Sequence, residues 1–194
     1  MRTAQSLRPL LFCCVTGCVA SWHTLVRYST EPAPPGESLT TSIYEVVLPG
    51  IVGGDSRPVL LLSESDSTPQ LAAVVEGGHP AVPGYWADTL RREVQAALSD
   101  PALMQDAAPA EVLAAATSVG VRLLADSGAS GALVEQQVAR LRLSRPGFNK
   151  DSTIAAVRAD FYCGFLCGEG VTLLLARRPG YRWRVWQASR RWVS

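Results

Sequence analysis

Val138-Ala139-Arg140-Leu141-Arg142-Leu143-Ser144 alternates arginine with apolar residues, the period-two pattern of a strand with one wet face. Arg145-Pro146-Gly147-Phe148-Asn149-Lys150-Asp151 reads as a loop, after which the alternation resumes. Over residues 153–162, Ala155, Val157, Ala159 and Phe161 fall on one side, Arg158 and Asp160 on the other. Residues 171–176 and 183–188 give two further strands, joined by Arg178-Pro179-Gly180-Tyr181. The C-terminal third therefore predicts an antiparallel meander of about four strands.

Upstream the period changes. Ser42-Ile43-Tyr44-Glu45 has the form of a capping box, with Tyr44, Val47 and Leu48 on one helical face and Pro49-Gly50 as a stop. This predicts a short helix over 42–48. Residues 58–63 form a brief apolar run, read as a buried strand, and residues 64–83 read as a long irregular connection. Trp86, Leu90, Val94, Ala97 and Leu98 recur at helical spacing up to Asp100-Pro101. A further helix over 111–117 begins with Pro109 in its first turn, a strand is read over 119–124, and residues 126–131 form a loop. Short helices and a strand first, then a meander, predict an α+β fold in one domain over residues 42–194.

The first residues carry an address. Arg2 and Arg8 precede the apolar run Leu10-Leu11-Phe12-Cys13-Cys14-Val15, and Val15-Thr16-Gly17-Cys18 closes it, in the order of a secretory signal peptide. The ending resembles a bacterial lipoprotein box, which implies removal of residues 1–17 and lipidation of Cys18 with a thioether-linked diacyl group and an N-linked acyl chain such as palmitate. An ordinary signal peptide cut after Ala20 is the alternative. The apolar stretch from Pro9 to Ala20 is about half the ~20 residues that span a hydrocarbon core. Ser29-Thr30-Glu31-Pro32-Ala33-Pro34-Pro35-Gly36-Glu37-Ser38 lacks large apolar side chains, so residues 18–41 read as lipidated Cys18 and a flexible tether. The expected location is the periplasmic or outer face of a bacterial cell envelope, membrane-anchored through lipid.

Without Arg2 and Arg8 the chain has 16 basic against 17 acidic residues, a net of −1, which gives no field calling for nucleic acid. The charge is polarised, however. Residues 18–137 carry 5 basic and 14 acidic residues (−9), and residues 138–194 carry 11 basic and 3 acidic (+8). Either a basic face meets anionic lipid, wall polymer or an acidic envelope protein, or the two halves pack together and neutralise one another.

Cys163-Gly164-Phe165-Leu166-Cys167-Gly168-Glu169-Gly170 lies between two predicted strands. In an oxidising compartment, cysteines four apart across a hairpin are natural disulfide partners, with Gly164, Gly168 and Gly170 expected to supply positive φ angles. A zinc site needs about four ligands, and neither His23 in the tether nor His79 in a remote loop is an obvious contributor. A redox pair usually has two intervening residues and a helix start. The run from Leu143 to Ala155, Tyr162-Cys163, Leu166-Cys167-Gly168-Glu169-Gly170, Gly180, Trp183-Arg184-Val185 and Trp192-Val193-Ser194 together resemble a group of uncharacterised exported bacterial proteins. The shared pattern is a Ser-Arg-x-x-Phe-Asn loop, a strand, a Cys-Gly-x-x-Cys-Gly hairpin and a closing tryptophan, over roughly the last 55 residues. The resemblance implies a fold and an exported location but no reaction.

No catalytic constellation stands out. Ile51-Val52-Gly53-Gly54 resembles an activated protease terminus without its catalytic partners, and Gly128-Ala129-Ser130-Gly131 lacks nucleophile-elbow spacing. No motif calls for a cofactor or metal. Glu64 with Asp66, and Asp160 with Glu169, are the carboxylates that could serve a small cell-envelope hydrolase. Arg182, Arg184 and Trp186 are the candidate binding surface, where an aromatic between arginines could stack on a sugar, dock on lipid or cover the sheet edge. The leading expectation is a non-enzymatic envelope lipoprotein, a binding or structural module.

Overall fold

In a computed structural model, residues 28–53, 58–62, 88–125, 138–164 and 167–193 are described. The signal segment 1–17, Cys18, His23, the Glu64/Asp66 pair, His79, Trp86, the loop 126–131 and the tip residues Phe165 and Leu166 lie outside them. The elements are α1 (Leu39–Val52), β1 (Val59–Leu61), α2 (Asp88–Leu98), a 3-10 turn (Pro101–Met104), α3 (Pro109–Ser118), β2 (Leu123–Ala125), β3 (Ala139–Leu143), β4 (Gly147–Phe148), β5 (Ile154–Gly164), β6 (Cys167–Ala176) and β7 (Arg184–Val193).

The fold is α+β, with β3, β5, β6 and β7 forming the antiparallel run that the alternation predicts. The sheet is larger than that run and mixed. β1 pairs in parallel with both β2 and β3, giving the order β2-β1-β3-β5-β6-β7, and β4 pairs with β5. α1 and α3 cover one face. There Ile43, Val47 and Leu48 meet Val112, Leu141, Val157 and Leu175, all at most 1% exposed. α2 covers part of the other face, where Val94, Ala97 and Leu98 pack on Ile154, Ala156 and Leu174. Burying each such aliphatic side chain contributes roughly 1.5–3 kcal/mol, so the two clusters fix which way every strand residue points.

α1 starts and ends further out than the capping box suggests. Ser38 is its N-cap residue, and Ser42 sits inside the helix with its hydroxyl donating back to the Leu39 carbonyl at 3.0 Å. Pro49 lies within the last turn, which continues to Val52 because that side chain is 5% exposed in the core. α3 stops where Gly120, at φ +72°, lets Val121 N–H return to the Ala116 carbonyl at 2.9 Å.

The loop after β3 is a junction of buried polar groups. Asn149, 3% exposed, accepts at Oδ1 from the N–H groups of Thr153 and Ile154, and its Nδ2 donates to Glu93 of α2 and to Thr153 Oγ1. Ser144 Oγ accepts from Arg158 N–H and donates to the Arg145 carbonyl, while the Ser144 carbonyl accepts from the buried Tyr44 hydroxyl. Burial, reinforced by Glu111, pushes the Tyr44 phenol far above its usual range. Asp100 binds Ala102 N–H with one oxygen and Phe148 N–H with the other. A side chain at Gly147 would strike the Ala97 carbonyl at 2.4 Å. The Ser-Arg-x-x-Phe-Asn segment thus fastens α2, the 3-10 turn and α1 to the sheet.

Residues 29–38 differ from a free tether. The Glu31 carbonyl accepts from Arg182 N–H and Ala33 N–H donates to the Gly180 carbonyl, both at 2.9 Å. Pro32 bridges Tyr181, Glu31 pairs with Arg182 at 3.2 Å, and Arg178 lies 5.1 Å over the Tyr28 ring. The segment has no core of its own, yet it is strapped along the β6–β7 turn by borrowed backbone bonds. Among the described residues, Arg182 with Glu31 and Arg142 with Asp106 are ion pairs between the oppositely charged halves.

Candidate functional site

The three residues expected to form a binding surface occupy different settings. Trp183 is the core tryptophan of this segment, 3% exposed with Arg177 at 4.8 Å over its ring. Arg182 beside it is engaged by Glu31. Arg184 is exposed at the start of β7. The β6–β7 ladder shifts register between Leu174/Gln187 and Leu175/Val185, leaving Trp186 as the extra residue. That bulge turns its ring onto the α2 cluster, where it packs partly buried beside Leu90.

A different constellation forms at the opposite end of the sheet, on the α2 side but beyond the helix. β3 places Arg140 opposite Tyr162 and Arg142 opposite Asp160. β5 supplies Arg158, Asp160 and Tyr162 at two-residue intervals, which keeps all three on one face. A second bulge in β7, between Trp192 and Arg190, lets the consecutive residues Arg191 and Trp192 both reach Asp160. Arg191 ion-pairs with Asp160 Oδ1, and Trp192 Nε1 donates to the same oxygen at 2.9 Å. Arg142 pairs with Asp106 at 3.2 Å. The Tyr162 and Trp192 rings are 5.2 Å apart.

The glycines of the cysteine hairpin do not serve as turn makers. Positive φ is confined among the described glycines to Gly36, Gly120 and Gly180. Gly168 and Gly170 lie in extended β6 and leave room for Trp192. A Cβ at Gly170 would fall 2.0 Å from Trp192 Nε1 and 2.6 Å from Asp160 Oδ1, and one at Gly168 would meet the Trp192 ring at 3.0 Å. A Gly-x-Gly pair in a strand followed by a tryptophan on the next strand is the sequence signal for this arrangement. The sulfurs of Cys163 and Cys167 lie within bonding distance, with their Cα atoms 5.1 Å apart, directly above it. A bridge across so short a loop contributes only about 2 kcal/mol by chain entropy, so it chiefly fixes the hairpin.

Charge is unevenly satisfied here. Asp160 pairs with Arg191 and acts on Arg158 through its field, while Arg158 Nη1 donates to the Met104 sulfur, a weak acceptor, at 2.9 Å. Burial, then the neighbouring Arg191 charge, lowers the Arg158 guanidinium from its ordinary value, and Asp160 only partly offsets them. Burial and the Asp160 carboxylate push Tyr162 up to about 12. Among the described residues, Arg142, Arg158 and Arg191 thus gather around two carboxylates, Asp106 and Asp160, on a half-buried surface.

Asp160 and Glu169 do not converge as an acid–base pair. Asp160 is opposite Gly170 while Glu169 is opposite Phe161, one residue out of phase, so the two carboxylates leave opposite faces of the sheet. Glu169 pairs with Arg190 at 3.5 Å. Among the described residues no group of His, Cys, Asp and Glu could hold a metal ion, and no helix is long and apolar enough to cross a membrane. Compared with known protein families, with curated proteins and with solved structures, the chain matches none.

Proposed function

We propose that the chain is an exported envelope lipoprotein, anchored through Cys18, whose α+β domain is a non-enzymatic binding module for an anionic group. The observation that carries this reading is Arg158, half-buried in the field of Arg191, with a thioether as its hydrogen-bond acceptor and the nearby Asp160 carboxylate ion-paired to Arg191. A carboxylate or phosphate of an envelope protein or polymer would supply the two charge-assisted hydrogen bonds that Met104 cannot. Trp192 and Tyr162 give the same surface an aromatic floor, and the hairpin cysteines hold it in place.

Nε–Hε resonances of the arginines, followed while inorganic phosphate and then acetate are added to the mature chain, test this directly. The expected result is a saturable shift of Arg158 that Arg158→Gln abolishes without altering the backbone spectrum. Equal small shifts across all arginines would overturn it. Mass spectrometry of native material tests the anchor: the expected mass lacks residues 1–17 and carries acyl groups on Cys18, and an intact Met1 would overturn that.

A further inference from the structure

The strap fixes which end of the domain can approach a membrane. Tyr28 to Ala33 run along the β6–β7 turn, held by the Arg182–Glu31 and Ala33–Gly180 backbone bonds and by Arg178 over Tyr28. The described chain begins at Tyr28, beside Arg178. Nine residues, 19–27, separate it from Cys18. Ten peptide steps reach at most about 35 Å when fully extended. β6 alone, ten residues from Cys167 to Ala176, spans about 33 Å from the cysteine hairpin to this turn. A leash of that maximum reach brings the hairpin end to the bilayer only at near-complete extension.

The surface that this geometry presents suits a lipid headgroup layer. Arg178, Tyr181 and Arg184 are exposed, Tyr28 is 36% exposed and Tyr181 38%. Arg182 adds a third positive charge, compensated by Glu31, and Arg177 a fourth, offset by Glu37 and packed over Trp183 with its Nε donating to the Ser152 carbonyl. Lys150 and Asp151 offset one another on the adjoining loop. Tyrosine and arginine together favour the membrane–water boundary, where the ring sits among headgroups and the guanidinium meets anionic phosphate.

We infer that the β6–β7 turn, with Arg178, Tyr181, Arg184 and Tyr28, is a docking surface for anionic phospholipid, and that it orients the domain with the Asp160–Arg191–Trp192 end pointing away from the membrane. The orientation rests on Cys18 being the anchor, whereas the phospholipid affinity of the turn does not.

Co-sedimentation separates the two. The mature chain, residues 18–194 with Cys18→Ser, is mixed at millimolar lipid with vesicles of phosphatidylcholine alone or with 30% phosphatidylglycerol. The expected result is salt-sensitive binding to the anionic vesicles only. The pair Arg178→Gln/Arg184→Gln should weaken it about 30-fold, roughly fivefold per arginine, and Arg92→Gln/Arg122→Gln, at exposed positions on α2 and beside β2, should leave it unchanged. Circular dichroism confirms that each variant folds. Equal binding to both vesicles, no binding to either, or a larger loss from Arg158→Gln than from the turn pair would overturn the docking surface, even with lipid found on Cys18. An unmodified Cys18 in native protein would overturn the anchor and the orientation, even with anionic binding intact.

Discussion

The two ends of the β5–β6 ladder are held by opposite kinds of chemistry. At the turn end, next to β4, the hub is a neutral buried amide: Asn149 satisfies two backbone N–H groups, the Thr153 hydroxyl and the Glu93 carboxylate from one side chain. At the hairpin end the hub is itself an ion pair, with side-chain exposures of 16% for Arg191 and 19% for Asp160. A neutral hub taken out of water gains rigidity and offers little to a partner. A charged cluster left near water gains less stability, because solvent screens it, but keeps guanidinium groups within reach of an incoming anion.

The sharpest way to break that contrast is Asn149→Ala. It strands the N–H groups of Thr153 and Ile154 in the interior and removes the link to Glu93 on α2. Each unsatisfied buried donor costs about 1–3 kcal/mol, so denaturant unfolding should show a loss of about 3–5 kcal/mol. A loss below about 1 kcal/mol would mean that the junction is not what holds the turn end.

Gly170→Ala probes the hairpin end. Its Cβ would overlap Trp192 Nε1 and Asp160 Oδ1, and overpacking of this kind costs about 1–3 kcal/mol. The loss should shrink when Trp192 is already gone, because only the contact with Asp160 Oδ1 remains: Gly170→Ala should cost less in the Trp192→Ala background than in the parent chain. Additive losses would show that Gly170 serves the strand backbone rather than the indole.

How legible the two ends were follows from the same contrast. Period-two alternation exposed β3 and β5 because cluster contacts on one face force Leu141, Leu143, Val157 and Ala159 inward. The parallel pairing of β1 with β2 and β3 was not legible, since three-residue strands carry no period and their partners are about eighty residues or fewer apart along the chain without a local signal. The strap departs from the tether that its composition predicts for a physical reason. Composition reports whether a segment can fold alone, whereas residues 31–33 complete their backbone bonds on Gly180 and Arg182. The hairpin glycines were assigned to turns when their role is steric, and the bulges that aim Trp186, Arg191 and Trp192 leave no mark in a residue pattern. Asp160 was noticed as a carboxylate, but its partners come from a strand thirty residues on.

The smallest effect, and the finest test of the charged end, is the titration of Tyr162. Burial and the Asp160 carboxylate both disfavour the phenolate, and they raise its pKa from 10.0 to about 12. The folded chain then holds this proton over a pH range in which the unfolded chain has released it. Below pH 10 both states are protonated and Tyr162 adds no pH dependence. Between 10 and 12 the folded state binds more protons, so the stability this tyrosine contributes falls as pH rises. Tyr44 is shifted in the same direction, so the measurement must be differential. Tyr162→Phe should flatten the decline in unfolding free energy above pH 10 relative to the parent chain, and Asp160→Asn should bring the Tyr162 absorbance change at 295 nm to lower pH. If Asp160→Asn leaves that titration in place, burial alone sets it, and the carboxylate's field is spent entirely on Arg191, Arg158 and Trp192.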